Sequence, residues 1–171
     1  MLNMFRSFWG FFLTLLEKHT PLRFSKNSVE GIFNYHKLSD RLITSGQPTE
    51  LQFERLRDAG FEAVVNLLPS DSENSLDNEE AILNALGFTY SYIPVDFKRP
   101  TDADFESFCA VIEALGDKKT LVHCAANMRV SAFFYRYRVQ VLGEDKDTAA
   151  VDLAKLWKPF GVWKAFLGDS L

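Results

Sequence analysis

The stretch "KTLVHCAANMRVSAFFYRYRVQVLG", residues 119–143, decides the fold. Residues 119–123 are short and apolar and read as a buried strand. Residues 129–142 read as a helix that Gly143 stops. Between them lies an uncharged turn that begins at Cys124 and ends against Arg129. A strand feeding a helix through so short a turn is half of a βαβ unit, so the rest of the chain should repeat the alternation.

It does. Upstream, "LITSGQP" is a short apolar run broken by Gly46 and Pro48, and Thr49 with Gln52 sets a capping box for a helix that ends at Gly60. "FEAVVNLL" is valine-rich and bounded by Gly60 and Pro69, which predicts a second buried strand. The polar loop "PSDSENSLDN" follows, then a helix over 77–86, then "FTYSYIPV" as a strand of aromatic and β-branched residues. Thr101 caps a helix whose Phe105, Phe108, Cys109, Ile112 and Leu115 recur at helical spacing. Strands alternating with helices imply an α/β fold with a mostly parallel central sheet flanked by helices. Cys124 then stands at the carboxyl end of a strand, where open α/β sheets bind ligands.

Composition narrows the function classes. The chain has 171 residues, 47% hydrophobic and 25% charged, which suits one ordinary globular domain rather than disorder or repeats. A net charge of −4 gives no general attraction to nucleic acid. The two cysteines and three histidines show no metal-ligand spacing, so neither a metal nor another cofactor is expected and both thiols read as reduced. Cys109 lies on the apolar helical stripe and reads as core.

Residues 1–39 form a separate unit of organisation, an apolar helix and a connecting arm, ahead of a domain over 40–171. In "MFRSFWGFFLTLL", residues 4–16, the helix-spaced Phe5, Phe8, Trp9, Phe12, Leu15 and Leu16 suit a face docked on the domain, at a membrane surface, or against a second copy of the chain. The segment is too short to span a bilayer and lacks a cleavage pattern, so a cytoplasmic protein with membrane-surface contact or a homodimer is the expectation. Toward the other end, Trp157 and Trp163 read as packing residues.

The turn has its own chemistry. A thiol that opens a loop into a helix N-terminus faces unpaired backbone N–H groups and the positive end of the helix dipole, which favour thiolate. The same amides cradle an oxyanion, and an arginine on the first helical turn binds two phosphate oxygens as a planar fork. An anion pocket with a nucleophile at its floor is the functional reading; a buried structural cysteine beside a surface arginine is the bland one.

"ITSGQPTELQFERLRDAGFEAVVNLLP", "GFTYSYIPVDF" and "LVHCAANMRVSAFFYRYR" occur in this order over residues 40–142. Together they resemble bacterial phosphatase-like proteins of the DUF442 type, within the cysteine-dependent protein tyrosine and dual-specificity phosphatases. The resemblance implies a protein tyrosine phosphatase-like fold and phosphomonoester hydrolysis through a phosphocysteine. Cys124 would be the nucleophile, Arg129 the phosphate clamp, and His123 the residue that orders the loop. The amides of Ala125, Ala126, Asn127, Met128 and Arg129 would hold the phosphoryl oxygens. Asp96 in "IPVDF" fits the general acid, with Asp102 and Asp104 as rivals at a helix start. The implied partner is a phosphorylated protein or a small phosphomonoester.

Two departures qualify the likeness. Only four residues separate Cys124 from Arg129, one fewer than the family pattern, and the usual loop glycine is missing. Asn127, tolerant of left-handed backbone, is expected to take the tight position. Val130 replaces the usual hydroxyl residue after the arginine; Ser131, one place later, either assists the leaving thiolate or hydrogen-bonds within the helical turn. The short loop also matches rhodanese-like sulfurtransferases that carry a persulfide, and a phosphate-binding module without turnover is a third reading.

Overall fold

The structure, a computed structural model, describes residues 28–168. The expected apolar helix over 4–16 lies outside these residues. Five strands form one sheet: β1 (His36–Lys37), β2 (Leu42–Ser45), β3 (Ala63–Asn66), β4 (Thr89–Tyr92) and β5 (Thr120–His123). Their order is β1-β2-β5-β3-β4, and only the β1–β2 pair is antiparallel. The sheet is therefore mixed but mostly parallel, as the alternation predicted. β1 is an addition, since it lies within the segment read as a connecting arm.

Six α-helices flank the sheet: α1 (Glu50–Asp58), α2 (Glu79–Ala85), α3 (Asp102–Leu115), α4 (Met128–Gln140), α5 (Lys146–Leu156) and α6 (Val162–Leu167). The predicted capping box forms at Thr49 with Gln52, and the predicted cap Thr101 forms a second box with Asp104. Each satisfies two of the backbone donors that a helix start leaves orphaned.

Side chains alternate across the sheet, so each central strand feeds two cores. Leu121 and Val64 join Phe53 and Leu56 of α1 and Leu83 of α2 on one face. Val122, Ala63 and Val65 join Phe105, Phe108, Phe133, Leu153 and Trp163 from α3 to α6 on the other. This two-sided burial explains why the strands read as continuous apolar runs rather than alternating ones. It also sets up the site. The chain leaves β2 and β3 toward α1 and α2 on one face but leaves β5 toward α4 on the opposite one. Such a reversal opens a crevice at the strand's carboxyl end, and Cys124 is the next residue.

Trp157 and Trp163 are 4% and 1% exposed and pack edge-on at 5.9 Å. They are internal, in line with their reading as packing residues. The same C-terminal region carries an ion network: Asp152 accepts from Lys155, Arg138 and His36 at 2.9, 2.7 and 2.9 Å. Burial opposes ionisation of Asp152, but these three donors outweigh it and bring the carboxyl to about 2 from 3.8. A carboxyl held below its unfolded value stabilises the fold above that value, and the contribution is lost as pH falls through the folded one. Thermal melts should therefore show wild type losing stability between about pH 4 and 2, and Asp152→Asn should be less stable at neutral pH with a flatter acid limb. Parallel curves for the two proteins would count against this assignment.

Candidate active site

Cys124 directly follows β5 and is fully buried, and its amide donates to the Ser45 carbonyl at 3.3 Å. The chain then turns in three residues. Asn127 makes that possible: it stands at φ 61°, ψ 8° as the N-cap of α4, the left-handed position expected of it in place of glycine. Its Nδ2 donates to the Asn34 carbonyl at 2.8 Å and to Thr44 Oγ1 at 2.9 Å. Asn34 reciprocates, donating from Nδ2 to the Ala126 carbonyl at 2.9 Å. The arm ahead of β1 is thus stapled to the cysteine loop, a contact that the sequence reading missed.

Gly46 lies under the same loop. The Gln47 amide donates to the Ala125 carbonyl at 3.2 Å, and a Cβ at Gly46 would stand 2.7 Å from that oxygen. Glycine is required here for close backbone approach rather than for an unusual dihedral. With the carbonyls of Ala125 and Ala126 tied outward, the amides of Met128, Arg129 and Val130 have no acceptor among the described residues. They are the free N–H groups that every helix start presents.

Arg129 projects from the first turn of α4. Its Nε donates to the Val95 carbonyl at 2.8 Å, its guanidinium lies 5.2 Å from the Phe97 ring centre, and it forms no ion pair among the described residues. Both contacts belong to the loop after β4, so one side chain links the cysteine loop to the loop that bears Asp96. Trp163 holds that loop from behind, donating from Nε1 to the Phe97 carbonyl at 3.0 Å.

Asp96 is exposed, and its Oδ1 accepts only from the Lys98 amide of its own turn, at 2.8 Å. Its rivals hold other positions. Asp102 pairs with Arg136 at 2.7 Å, and Asp104 serves the Thr101 capping box. Ser131 takes the helical alternative: its hydroxyl donates to the Met128 carbonyl at 3.1 Å and accepts from Trp157 Nε1 at 3.1 Å.

Behind the loop is a buried polar group of which the sequence reading saw only parts. His123 is fully buried, with Nε2 3.2 Å from Glu79 Oε1, a close contact out of line for a straight hydrogen bond. Glu79 also accepts from Gln47 Nε2 at 2.5 Å, Asn66 Nδ2 at 2.7 Å and the Tyr90 hydroxyl at 3.2 Å. Burial pushes this carboxyl up, but the His123 contact and the Gln47 and Tyr90 hydrogen bonds outweigh it and hold it below the usual range. The Tyr90 phenol is raised in turn, first by burial and then by the facing carboxylate. Asn66 Oδ1 accepts from the Leu68 amide two residues on, at 2.7 Å. Gln47 reaches into this cluster from the turn after β2.

A family described as "DSP-PTPase phosphatase fused to NAD+ Kinase" matches residues 17–158. The chain belongs to this phosphatase family. A phosphatase-like DUF442 protein from Shewanella putrefaciens CN-32 is 33% identical with a TM-score of 0.73, covering 83% of this chain and 93% of that one. The fold is also that of P. aeruginosa TpbA, solved as a variant in complex with pTyr, at 22% identity and a TM-score of 0.60 over 73% and 75% of the two chains. A "Beta-lactamase hydrolase-like protein" of Xylella fastidiosa (strain Temecula1 / ATCC 700964) is 32% identical over 95 residues, 54% of this chain and 22% of that relative. The chain spans about a quarter or less of the curated relatives it matches. Membership in the phosphatase family agrees with the sheet, whose parallel β5, β3 and β4 put the cysteine loop and the Asp96 loop at the same edge, where the Arg129–Val95 hydrogen bond joins them. No helix among the described residues is long and apolar enough to cross a membrane.

Proposed function

We propose that this DSP-PTPase family member hydrolyses phosphomonoesters of proteins or small molecules through a phosphocysteine at Cys124. The observation that carries the reading is the Arg129–Val95 hydrogen bond, which puts the arginine of the cysteine loop one residue from Asp96. In the first step the Cys124 thiolate attacks phosphorus while the bond to the leaving oxygen breaks. Protonated Asp96 gives its proton to that oxygen. In the second step water attacks phosphorus, the P–S bond breaks to return the thiolate, and the Asp96 carboxylate takes the water's proton. Arg129 and the amides of Ala125 to Arg129 hold the phosphoryl oxygens through both steps. His123 orders the loop from beneath.

Hydrolysis of p-nitrophenyl phosphate by wild type and Asp96→Asn, beside a thiosulfate-to-cyanide sulfur-transfer assay, tests this reading. Asp96→Asn should lower kcat about 10²-fold with KM little changed, because an amide cannot supply the leaving group's proton. Asp102→Asn should stay near wild type. Sulfur transfer without phosphate release would favour the persulfide chemistry that a four-residue loop accommodates. Phosphate binding with neither turnover would leave a binding module.

A further inference from the structure

We propose that Glu79 is a positioning residue for the cysteine loop, acting through His123. The inference rests on the phosphatase reading for its meaning, but its evidence is geometric.

Glu79 is 6% exposed at the first position of α2, and every neighbour of its carboxylate within hydrogen-bond distance presents a donor. Gln47 comes from the turn after β2, Asn66 from the end of β3, Tyr90 from β4 and His123 from β5. His123 and Tyr90 are the titratable groups facing the carboxylate; Gln47 and Asn66 are neutral. An ionised carboxylate only accepts, so the 3.2 Å contact calls for a proton on His123 Nε2. That contact would set the ring's tautomer, and Phe53 packs edge-on against the ring at 5.8 Å.

Neither ring nitrogen makes a hydrogen bond among the described residues; Nε2 has the close Glu79 contact, and Nδ1 is buried without a partner. An unpaired buried polar atom in a native fold calls for a reason, and this one belongs to the residue preceding Cys124. Register places it well: His123 pairs with Ser45 on one side and Asn66 on the other, at the strand ends that support the loop. Glu79 is therefore the remote anchor that sets how His123 sits beneath Cys124. A purely structural role would be satisfied by any group that filled the space and bonded Gln47, Asn66 and Tyr90.

A double-mutant cycle separates the two. Glu79→Gln, His123→Ala and the pair would be compared by iodoacetamide alkylation of Cys124 across pH, in a Cys109→Ser background. Glu79→Gln keeps shape but offers an amide to a ring of donors. It should slow alkylation about tenfold at pH values where the thiolate fraction limits the rate. In the His123→Ala background the same change should have almost no further effect, because the residue it acts through is gone. In ¹⁵N-histidine spectra the His123 signal should show Nε2 protonated in wild type and a changed pattern in Glu79→Gln. Additive effects in the cycle, or an unchanged His123 signal, would overturn the proposal. Tyr90→Phe removes one donor to Glu79 without touching His123, so if Glu79→Gln fails to fold it gives the same cycle in a milder form. Because alkylation needs no substrate, a wild type without phosphatase activity would sink the functional reading and leave this cycle still decisive.

Discussion

Cys124→Ser should lower phosphate release by about 10⁴-fold or more while the protein stays folded and still binds phosphate. A serine hydroxyl becomes a nucleophile only when a base takes its proton, and in the first step Asp96 serves as the acid for the leaving group. The nearest imidazole, His123, has Nε2 directed at Glu79 and lies buried beneath the loop. A thiol is intrinsically far more nucleophilic than a hydroxyl and reacts as its anion without such a base. Folding should survive the exchange, since serine is close to cysteine in shape and burying its hydroxyl costs about 1–3 kcal/mol if no partner is found. Cys109 supplies the internal contrast: burial first, and Glu113 second, push its thiol up, and it sits on α3 against the core. Cys109→Ser should leave turnover unchanged. If Cys124→Ser kept more than a hundredth of the activity while Cys109→Ser lost it, the nucleophile would be the other thiol.

The parts of this site that were legible in the sequence are those fixed by neighbours along the chain. Strand, turn and helix over 119–143 follow from local apolar pattern and Gly143, and the left-handed Asn127 follows from a tight turn that lacks glycine. Asp96 could be singled out only through the family resemblance, which implies an aspartate on the loop after the preceding strand. What escaped is held by partners far away in sequence. Two-residue β1 has no pattern of its own and exists only through its register with Ile43 and Thr44. Asn34 looks like a polar arm residue until its bonds to the Ala126 carbonyl and from Asn127 are seen. Glu79 is hidden among Asp77 and Glu80 as one more acid at a helix start, a setting where solvated carboxylates are ordinary. Only the sheet order, which inserts β5 between β2 and β3, brings His123 and Asn66 beside it.

Arg129→Lys carries the second large effect, and it separates charge from geometry. Lysine keeps the positive charge, so attraction of a phosphate dianion should persist and KM should rise by less than about tenfold. Turnover should fall by about 10³-fold, the scale on which a positioned arginine stabilises a transferring phosphoryl group. The guanidinium does two things at once that an ammonium cannot: Nε holds the Val95 carbonyl while the two terminal nitrogens stay available to oxygens in one plane. A single Nζ can serve the carbonyl or the phosphate. Substitution should therefore also loosen the loop that bears Asp96, leaving it held by Trp163 and Trp157 at Phe97 and by Leu67 at Val95. From this a non-additive result follows: Asp96→Asn, costly in wild type, should cost much less in the Arg129→Lys background, because the acid's placement has already been lost. Single-turnover rates of the four proteins with p-nitrophenyl phosphate measure that coupling. Independent, additive losses would mean that the hydrogen bond to Val95 is incidental and that arginine acts on the phosphate alone. A Lys variant within tenfold of wild-type kcat would remove the transition-state role altogether and favour the reading of the loop as a binding module.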